Sequence, residues 1–543
     1  MKTFLNTGLA LRRRNPLVLS ACALALAGTM ARAEKITGAM PAPGPFSADQ
    51  GNGTYLNPIL PGDYADPSIV RVGDDYYLVN SCFEYSPGLL IWHSKDLVNW
   101  KPICRAATAY DGEILAPDIS FREGKYWIYY CTVYYSETGA KTACNRVITA
   151  PSPAGPWTAP VGFEVKGIDP SRVEGPDGKP YLHTSGGRMI ELTPDGLGVT
   201  GEVRVVVEPW PIPIDWPVEG VYLEGAKFFQ HGGWYHLLLA EGGTAGPATS
   251  HMVISARSKT PWGPWEYSPY NPVIHTKSRE EIWWSTGHGS LIDTPERELW
   301  MVLHGYRKDY YSLGRQTLLL PMEWTDDGWF RMKAGIDPAK PIQKPKGGSV
   351  VGRGMPLSDS FDFHALGLQW SGWKNGVLDR LSVGDGKLSM TASGTDIRSS
   401  APLTVIPCHK SYAVEVDVEI PDAGTSAGLT LFYNTKACVS LFLQNGSVIA
   451  RRYGGSDGQL FGGQAHVRAS GNRVRLRIEN RNHEVGYSWA EPGQDWQRLR
   501  PWEELSGYNH NTYGGFISLR AGVFSAGTKG KAFFRNFVYR PLD

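Results

Sequence analysis

Residues 57–77 read Asn-Pro-Ile-Leu-Pro-Gly-Asp-Tyr-Ala-Asp-Pro-Ser-Ile-Val-Arg-Val-Gly-Asp-Asp-Tyr-Tyr, and the rest of the chain is organised around this stretch. In it, Asp66 follows turn-forming Pro and Gly residues and precedes a β-branched run, Ile69, Val70 and Val72, so its carboxylate is predicted at the mouth of a strand. An Asp-Pro-Ser sequence often only caps a turn through side-chain to backbone hydrogen bonds. A chemical role for Asp66 therefore has to come from other parts of the sequence.

An aromatic strand with a second strand behind it recurs five times at intervals of roughly 50–65 residues. The aromatic strands start near Tyr76, Tyr126, Tyr181, Tyr235 and Trp300. Repeats of this size with several short strands indicate propeller blades, because no single blade buries its own faces. The sequence predicts an all-β protein with a five-bladed β-propeller over residues 52–345, and a β-sandwich with similar hairpins is the alternative.

A second domain follows a linker rich in Pro, Lys and Gly between Pro338 and Pro356. From Tyr412 to Ile420, apolar and acidic residues alternate strictly, which is typical of a half-buried antiparallel strand. At 543 residues the chain also exceeds one ordinary core. We predict a β-sandwich of the concanavalin-like jelly-roll type over residues 356–543, which closes one side of a pocket or holds the propeller.

The N-terminal residues 1–33 are predicted to be an export signal. Basic residues precede an apolar run, and Ala31-Arg32-Ala33 supplies a cleavage site. Export to the periplasm or the medium is expected, with a lipid anchor at Cys22 as the alternative. Loss of the five basic residues of this segment moves the formal net charge from +1 to −4. The mature chain therefore lacks the excess of positive charge that is typical of proteins that bind nucleic acid. The apolar run is too short to be read as a membrane span.

Six cysteines remain beyond the signal, an even number that permits disulfides in an exported protein without revealing their pairing. No spacing of Cys and His indicates zinc.

Three acidic residues, Asp66, Asp118 and Glu224, stand near Pro or Gly beside the first strand of different repeats. A propeller brings the inner strands of all blades to one axis, so these carboxylates are expected to converge. Glycoside cleavage needs one carboxylic acid to protonate the leaving oxygen and a second carboxylate to activate water or attack the sugar. A third carboxylate near the acid raises its pKa by like-charge repulsion. For each acid alone, a turn cap or a buried hydrogen-bonded carboxylate is the simpler interpretation.

Together and in order, several motifs resemble glycoside hydrolase family 43, in particular its β-xylosidase and α-L-arabinofuranosidase members. Besides residues 57–70 they are Ser86-Pro87-Gly88, Ser94-Lys95-Asp96-Leu97-Val98-Asn99-Trp100, Ala116-Pro117-Asp118, Glu224-Gly225, Ala240-Glu241-Gly242-Gly243-Thr244, Gly287-His288-Gly289-Ser290-Leu291, Leu313-Gly314-Arg315-Gln316-Thr317 and Ala427-Gly428-Leu429-Thr430-Leu431-Phe432-Tyr433-Asn434. The resemblance covers nearly the whole mature chain and implies a five-bladed propeller joined to a concanavalin-like sandwich.

The resemblance also implies roles for individual residues. By it, Asp66 is the general base, Glu224 the general acid and Asp118 the residue that tunes the acid, in a reaction that inverts the anomeric centre. Arg315 is implied to bind substrate, and Phe83 to form an aromatic wall of the sugar subsite. His288 is implied to lie in the central channel, near the sugar or, in some relatives, near a bound calcium ion. No cofactor is required, and calcium stays open.

Two departures from the family pattern bear on specificity. Ala226 replaces the proline usual after Glu-Gly, which removes a fixed φ behind the acid. Leu115 stands where xylosidase relatives often have a tryptophan, so one stacking platform is lost.

The sequence thus predicts an exported inverting exo-glycosidase that removes terminal β-1,4-xylose from plant cell-wall xylo-oligosaccharides. An α-L-arabinofuranosidase on arabinoxylan or arabinan side chains is the alternative, and a non-catalytic carbohydrate-binding propeller is the alternative of another class. An oligosaccharide is the expected partner. The sequence indicates no oligomeric state.

Overall fold

A computed structural model describes residues 46–135 and 141–542, so the predicted signal and Cys22 lie outside the described residues. Within these ranges strands make up nearly all the regular structure. The helices there are short: Tyr311–Leu313 and Leu378–Arg380 are 3-10 turns, and His510–Tyr513 is one α-helical turn. No helix of the described ranges has the length and apolarity needed to cross a bilayer.

Five antiparallel sheets in succession form the blades of a propeller, as the repeats predict. Blade 1 contains Ser68–Val72, Asp75–Val79, Gly88–Ser94 and Lys101–Ala107; blade 2 Glu113–Arg122, Lys125–Tyr135, Lys141–Ala150 and Val161–Phe163; blade 3 Ser171–Glu174, Pro180–Thr184, Arg188–Leu192 and Val199–Val205; blade 4 Leu223–His231, Trp234–Glu241, Met252–Ser258, Glu266–Tyr267 and Ile274–His275; and blade 5 Trp283–Asp293, Leu299–Arg307, Arg315–Trp324 and Phe330–Met332. The five aromatic positions that revealed the repeat all lie in the second strand of a blade. Tyr126 contacts Tyr77 of blade 1 edge-on, and Tyr181 contacts Trp262 of blade 4, so part of the repeat in the sequence records contacts between blades.

The start of the chain is tied to the last blade. Thr54–Tyr55 pairs with Ile342–Gln343, and Leu60 forms a β-bridge with Thr317 in blade 5. The hydroxyl of Tyr55 donates to the carbonyl of Leu319 at 2.7 Å. Asp66 follows this tie directly, so the stretch that opens blade 1 is fixed against blade 5.

Two large sheets beyond the linker form the predicted sandwich. One contains, in spatial order, Gln459–Arg468, Ser447–Gly454, Cys438–Gln444, Ser426–Phe432, Arg520–Ala526, Leu403–Val405, Ser371–Trp373 and Tyr85–Ser86; the other contains Leu381–Gly384, Lys387–Thr391, Lys531–Pro541, Ser411–Glu419, Arg473–Arg481, Glu484–Ala490 and Gln497–Arg498, with Glu503–Glu504 also paired to Glu484–Ala490. The alternating residues 412–420 fall on the central strand Ser411–Glu419, whose valines are buried.

The propeller contributes the last strand of the first of these sheets. Tyr85–Ser86, from the loop inside blade 1, pairs with Ser371–Trp373. The guanidinium of Arg520 lies 3.4 Å from the ring centroid of Tyr85. Asp63 accepts a hydrogen bond from the backbone N–H of Ser518 at 3.1 Å. These contacts hold the segment 516–518 of the sandwich beside the segment that carries Asp66.

All six cysteines of the described residues carry free thiols. The even number beyond the signal permitted disulfides, but their positions in the fold do not pair them.

Candidate active site

A cavity of about 550 Å³ opens where the inner strands of the blades begin. Five of the residues singled out in the sequence line it: Asp66, Phe83, Glu224, His288 and Arg315. Its wall also includes residues of the segment 206–222, which connects blades 3 and 4, and one residue of the sandwich. A concave site of this volume is in the range of small-ligand pockets.

Asp66 is buried in the wall of this cavity and held from several sides. Its Oδ1 accepts a hydrogen bond from Arg315 Nη1 at 2.8 Å, and its Oδ2 accepts one from the hydroxyl of Ser81 at 2.5 Å. Its backbone N–H donates to His304 Nδ1 at 3.1 Å. With a φ of 54°, the residue has the left-handed backbone that turns its side chain into the cavity. The carboxylate is therefore fixed in one orientation.

The environment of Asp66 keeps this carboxylate ionised. Burial by itself would raise the pKa of Asp66, but the positive charges of Arg315 and His288 outweigh it and hold the pKa well below its usual value. His288 Nδ1 lies 3.6 Å from Asp66 Oδ1. An ionised carboxylate is the form that accepts a proton from water.

Glu224 is the second residue of Leu223–His231 and projects beside a further acid, Asp169. Pairing with the neighbouring strand shifts between Glu224 and Lys227, and Gly225 within this bulge has a φ of 64°. The N–H of Gly225 donates to Asp169 Oδ2 at 3.0 Å. A side chain at Gly225 would place its Cβ 3.0 Å from His288. The bulge and this hydrogen bond thus fix the acid without the proline that Ala226 replaces.

Asp169 and His288 complete the acidic group. His288 Nε2 lies 3.6 Å from Asp169 Oδ2 and 3.9 Å from Glu224 Oε1. Burial raises the pKa of Asp169 to about 7; the positive charge of His288 opposes this shift, and the negative charges of Glu224 and Asp66 add to it. Burial disfavours the charged imidazole, but the neighbouring carboxylates raise the pKa of His288. Asp169 therefore changes its charge beside Glu224 and His288 as the pH passes through neutrality.

Asp118, in contrast, does not line the cavity. This finding corrects the prediction that placed Asp118 beside Glu224. Its Oδ1 accepts from Lys227 Nζ at 3.1 Å, and its Oδ2 accepts from the backbone N–H of Arg172 at 3.1 Å. Ser68 donates to Oδ1 at 3.5 Å. Ser68, Arg172 and Lys227 each follow one of the three cavity acids by two or three residues, so Asp118 lies one layer deeper along the axis. Its carboxylate ties blades 1, 3 and 4 to blade 2.

Sequence reasoning missed Asp169, although the sequence contains a signal for it. Asp169-Pro170-Ser171 repeats Asp66-Pro67-Ser68, and each run leads into the first strand of its blade. Both aspartates also have the same left-handed backbone, with φ of 57° and 54°. Asp118 instead lies inside the strand Glu113–Arg122, beyond a shift of register after Leu115. The position relative to the strand start, rather than proximity to a proline, distinguishes the cavity acids.

Replacing Asp118 by alanine is expected to lower the free energy of unfolding by about 3 kcal/mol, because the ammonium of Lys227 is then buried without its partner. Both side chains are largely buried, at 11% exposed for Asp118 and 7% for Lys227. Urea unfolding measures the change, with Asp74→Ala on the surface of blade 1 as the control. A stability equal to that of the wild type would contradict the structural role of Asp118.

Phe83, Arg315 and Phe516 form the aromatic side of the cavity. The guanidinium of Arg315 lies 5.3 Å from the ring centroid of Phe83 and 5.5 Å from that of Phe516. Phe516 belongs to the sandwich and lines the cavity. Among the described residues, the buried Nε of Arg315 has no hydrogen-bond partner. The sandwich thus closes one side of the pocket, as expected, and Arg315 keeps a donor for a ligand.

Leu115 and Thr244 also line the cavity, and Glu241 does not. Leu115 therefore lies in the cavity wall, at the position where xylosidase relatives often have a tryptophan that stacks on the sugar. The carboxylate of Glu241 is buried and accepts a hydrogen bond from the backbone N–H of Trp210 at 2.8 Å. Glu241 thereby anchors the segment 206–222, in line with the structural role expected of it.

One group of potential metal ligands lies at the cavity within the described residues. Single atoms of Glu224, His251 and His288 come within 4.8 Å of one another. Calcium takes six to eight oxygen ligands, so two imidazole nitrogens and one carboxylate do not suit it. The chemistry below uses side chains alone.

Comparison with known protein families gives two matches that together cover most of the chain. Residues 55–330 match Glycosyl hydrolases family 43, and residues 358–540 match the Beta xylosidase C-terminal Concanavalin A-like domain. The two matches coincide with the propeller and with the sandwich.

Individual relatives carry related names. The chain is 35% identical to a non-reducing end alpha-L-arabinofuranosidase of Bacteroides ovatus over 63% of its own length and 66% of that protein. It is 27% identical to Xylosidase/arabinosidase 43B of Humicola insolens over 90% of its length and 98% of that protein. Among solved structures, a xylan beta-1,4-xylosidase from Bacillus halodurans superposes with a TM-score of 0.79 at 26% identity, covering 89% of this chain and 99% of that one.

Proposed function

The chain belongs to glycosyl hydrolases family 43, and from this premise we propose that it is an inverting exo-glycosidase that removes terminal β-1,4-linked xylose from xylo-oligosaccharides of plant cell walls. The observation that carries the proposal is the pairing of two carboxyl groups in different environments at one cavity. Asp66 is buried, ionised and held by Arg315, whereas Glu224 is partly exposed beside Asp169. Two carboxyl groups placed in environments that differ in this way are suited to serve as base and acid.

In the proposed reaction, Asp66 takes a proton from a water molecule whose oxygen attacks the anomeric carbon. Glu224 gives its proton to the glycosidic oxygen as the bond between that oxygen and the anomeric carbon breaks. The products are a xylose of inverted configuration and an oligosaccharide shortened by one sugar. Asp169, which lies beside Glu224 and 3.6 Å from His288, takes the tuning role that the family resemblance implied for Asp118.

The cavity supplies contacts for one terminal sugar. The unpartnered Nε of Arg315 and the buried hydroxyl of Thr244, also without a partner among the described residues, offer hydrogen bonds to sugar hydroxyls. Phe83 offers an apolar face. Phe516 of the sandwich limits the cavity on this side, which supports action at a chain end rather than within a chain.

An α-L-arabinofuranosidase is the second candidate, and one observation favours it. Leu115, not a tryptophan, stands in the cavity wall, so a flat stacking surface for a pyranose ring is missing there. The relative of Bacteroides ovatus named above as an arabinofuranosidase agrees with this reading.

The deciding experiment compares kcat/KM of the purified protein on an aryl β-D-xyloside and an aryl α-L-arabinofuranoside in one buffer. We expect the xyloside to be the better substrate and NMR to show release of the inverted anomer. Preference for the arabinofuranoside would select the second candidate. Hydrolysis of neither would mean that the propeller binds carbohydrate without turnover.

We also infer that the protein is exported, from the basic and apolar residues of the segment 1–33. N-terminal sequencing of the mature protein from cell fractions tests this inference.

A further inference from the structure

A fourth carboxylate, Glu219, lines the same cavity and has no part in the reaction described above. It lies in the segment 206–222, five residues before Glu224. Burial and the nearby charge of Glu224 raise the pKa of Glu219, while the N–H of Ala245 and the charge of Arg315 lower it. The carboxylate is therefore close to the reacting groups but outside the set of Asp66, Asp169 and Glu224.

Exposure increases steadily from the floor of the cavity to its mouth. The side chains of Asp66 and Arg315 are 5% and 4% exposed, and that of Glu224 is 21% exposed. Tyr222 and Val221, which also line the cavity, are 46% and 64% exposed. The general acid contacts the glycosidic oxygen, so the terminal sugar lies on the floor side of Glu224. The leaving sugar must lie on the mouth side, where Glu219 and Tyr222 are found.

The structure holds Glu219 in place rather than leaving it as a free surface acid. Its Oε2 accepts a hydrogen bond from the backbone N–H of Ala245 at 2.7 Å, and its own N–H lies 2.7 Å from the hydroxyl of Ser250. A carboxylate has about four acceptor positions. Among the described residues, only the N–H of Ala245 donates a hydrogen bond to this carboxylate, so acceptor positions remain for hydroxyl groups of a ligand.

The turn that follows the second strand of blade 4 makes room for both side chains. Gly243 has a φ of 80°, and a Cβ there would come within 2.5 Å of Glu219 Oε2 and 2.9 Å of the ring of Tyr222. Both the backbone conformation and the close approach therefore require glycine at this position. The turn, the carboxylate and the tyrosine ring form one packed unit at the mouth.

From this arrangement we propose that Glu219 and Tyr222 bind the sugar that leaves. The ring of Tyr222 supports one apolar face of that sugar, and the carboxylate of Glu219 accepts hydrogen bonds from its hydroxyls. Glu219 thereby selects saccharides over leaving groups that lack hydroxyls. This inference rests on the proposed function, because it places the acceptor side by reference to Glu224 as the acid.

The test compares two substrates that share the terminal xylose: xylobiose and an aryl β-D-xyloside. For Glu219→Ala, the ratio of kcat/KM for xylobiose to kcat/KM for the aryl xyloside is expected to fall roughly 10- to 100-fold, the loss typical of hydrogen bonds to a charged group. Glu219→Gln, which keeps one acceptor oxygen, is expected to lose less, and Tyr222→Ala should lower the same ratio. Glu208→Gln is the matched control, since Glu208 is an exposed acid of the same segment outside the cavity.

An unchanged ratio in Glu219→Ala would overturn the proposal, whether both activities stay or both fall together. An equal fall would mean that Glu219 acts through Glu224 or through the fold of the segment. The proposed function is judged separately, by whether the wild-type protein hydrolyses the aryl xyloside at all. Where the wild type prefers the arabinofuranoside, arabinobiose and the aryl arabinofuranoside give the same ratio.

Discussion

Asp66→Asn is expected to lower kcat on an aryl β-D-xyloside by about 10²- to 10⁴-fold, the usual contribution of a general base. The amide oxygen of asparagine still accepts a hydrogen bond from Arg315, and its NH2 group donates to the hydroxyl of Ser81. These two groups contact the carboxylate at 2.8 and 2.5 Å, so the side chain should keep its place. It does not take a proton from water. Steady-state kinetics on the xyloside measure the loss.

Asp74→Asn serves as the control for this variant, because Asp74 is an exposed aspartate of the same blade. Thermal unfolding of both variants separates a chemical effect from a loss of fold. Hydrolysis by a folded Asp66→Asn protein at the wild-type rate would remove Asp66 from the reaction.

The second large effect is expected for Asp169→Asn, in the pH dependence of kcat/KM. The pKa of Asp169 is raised to about 7 by burial, with Glu224 contributing, so the charge beside Glu224 changes as the pH passes through neutrality. Asparagine has no proton to lose. The change in kcat/KM near pH 7 that the ionisation of Asp169 produces should therefore be absent from the variant, and kcat should fall because the tuning charge beside the acid is missing.

Asp118→Asn distinguishes this effect from a general disturbance of the acidic channel. Asp118 bonds to Lys227 and to the backbone of Arg172 below the cavity, so its replacement should act on stability and leave the change in kcat/KM near pH 7 in place. The opposite pattern, with this change lost in Asp118→Asn and kept in Asp169→Asn, would restore the assignment first made from the sequence.

The sequence by itself determined the blade architecture and the place of Asp66 before the first blade. An aromatic residue lies in the second strand of each blade, so the recurrence near Tyr76, Tyr126, Tyr181, Tyr235 and Trp300 marks the blades directly. The alternation in Ser411–Glu419 likewise records one face of buried valines and one face of acids that pair with arginines. Asp66, Glu224 and Arg315 were found because short motifs keep turn residues beside the chemical groups.

Only the tertiary structure decided which third acid joins them and what closes the cavity. Asp118 and Asp169 both follow apolar residues near a proline, yet one lies a layer below the other along the axis, because the depth of a side chain depends on bulges and on where pairing begins. Phe516 reaches the site from the other domain, and Glu219 reaches it through a glycine turn. Local pattern reports the strand or turn to which a residue belongs. Contacts between residues far apart in the chain are made only when the blades and the sandwich pack, and these contacts complete the site.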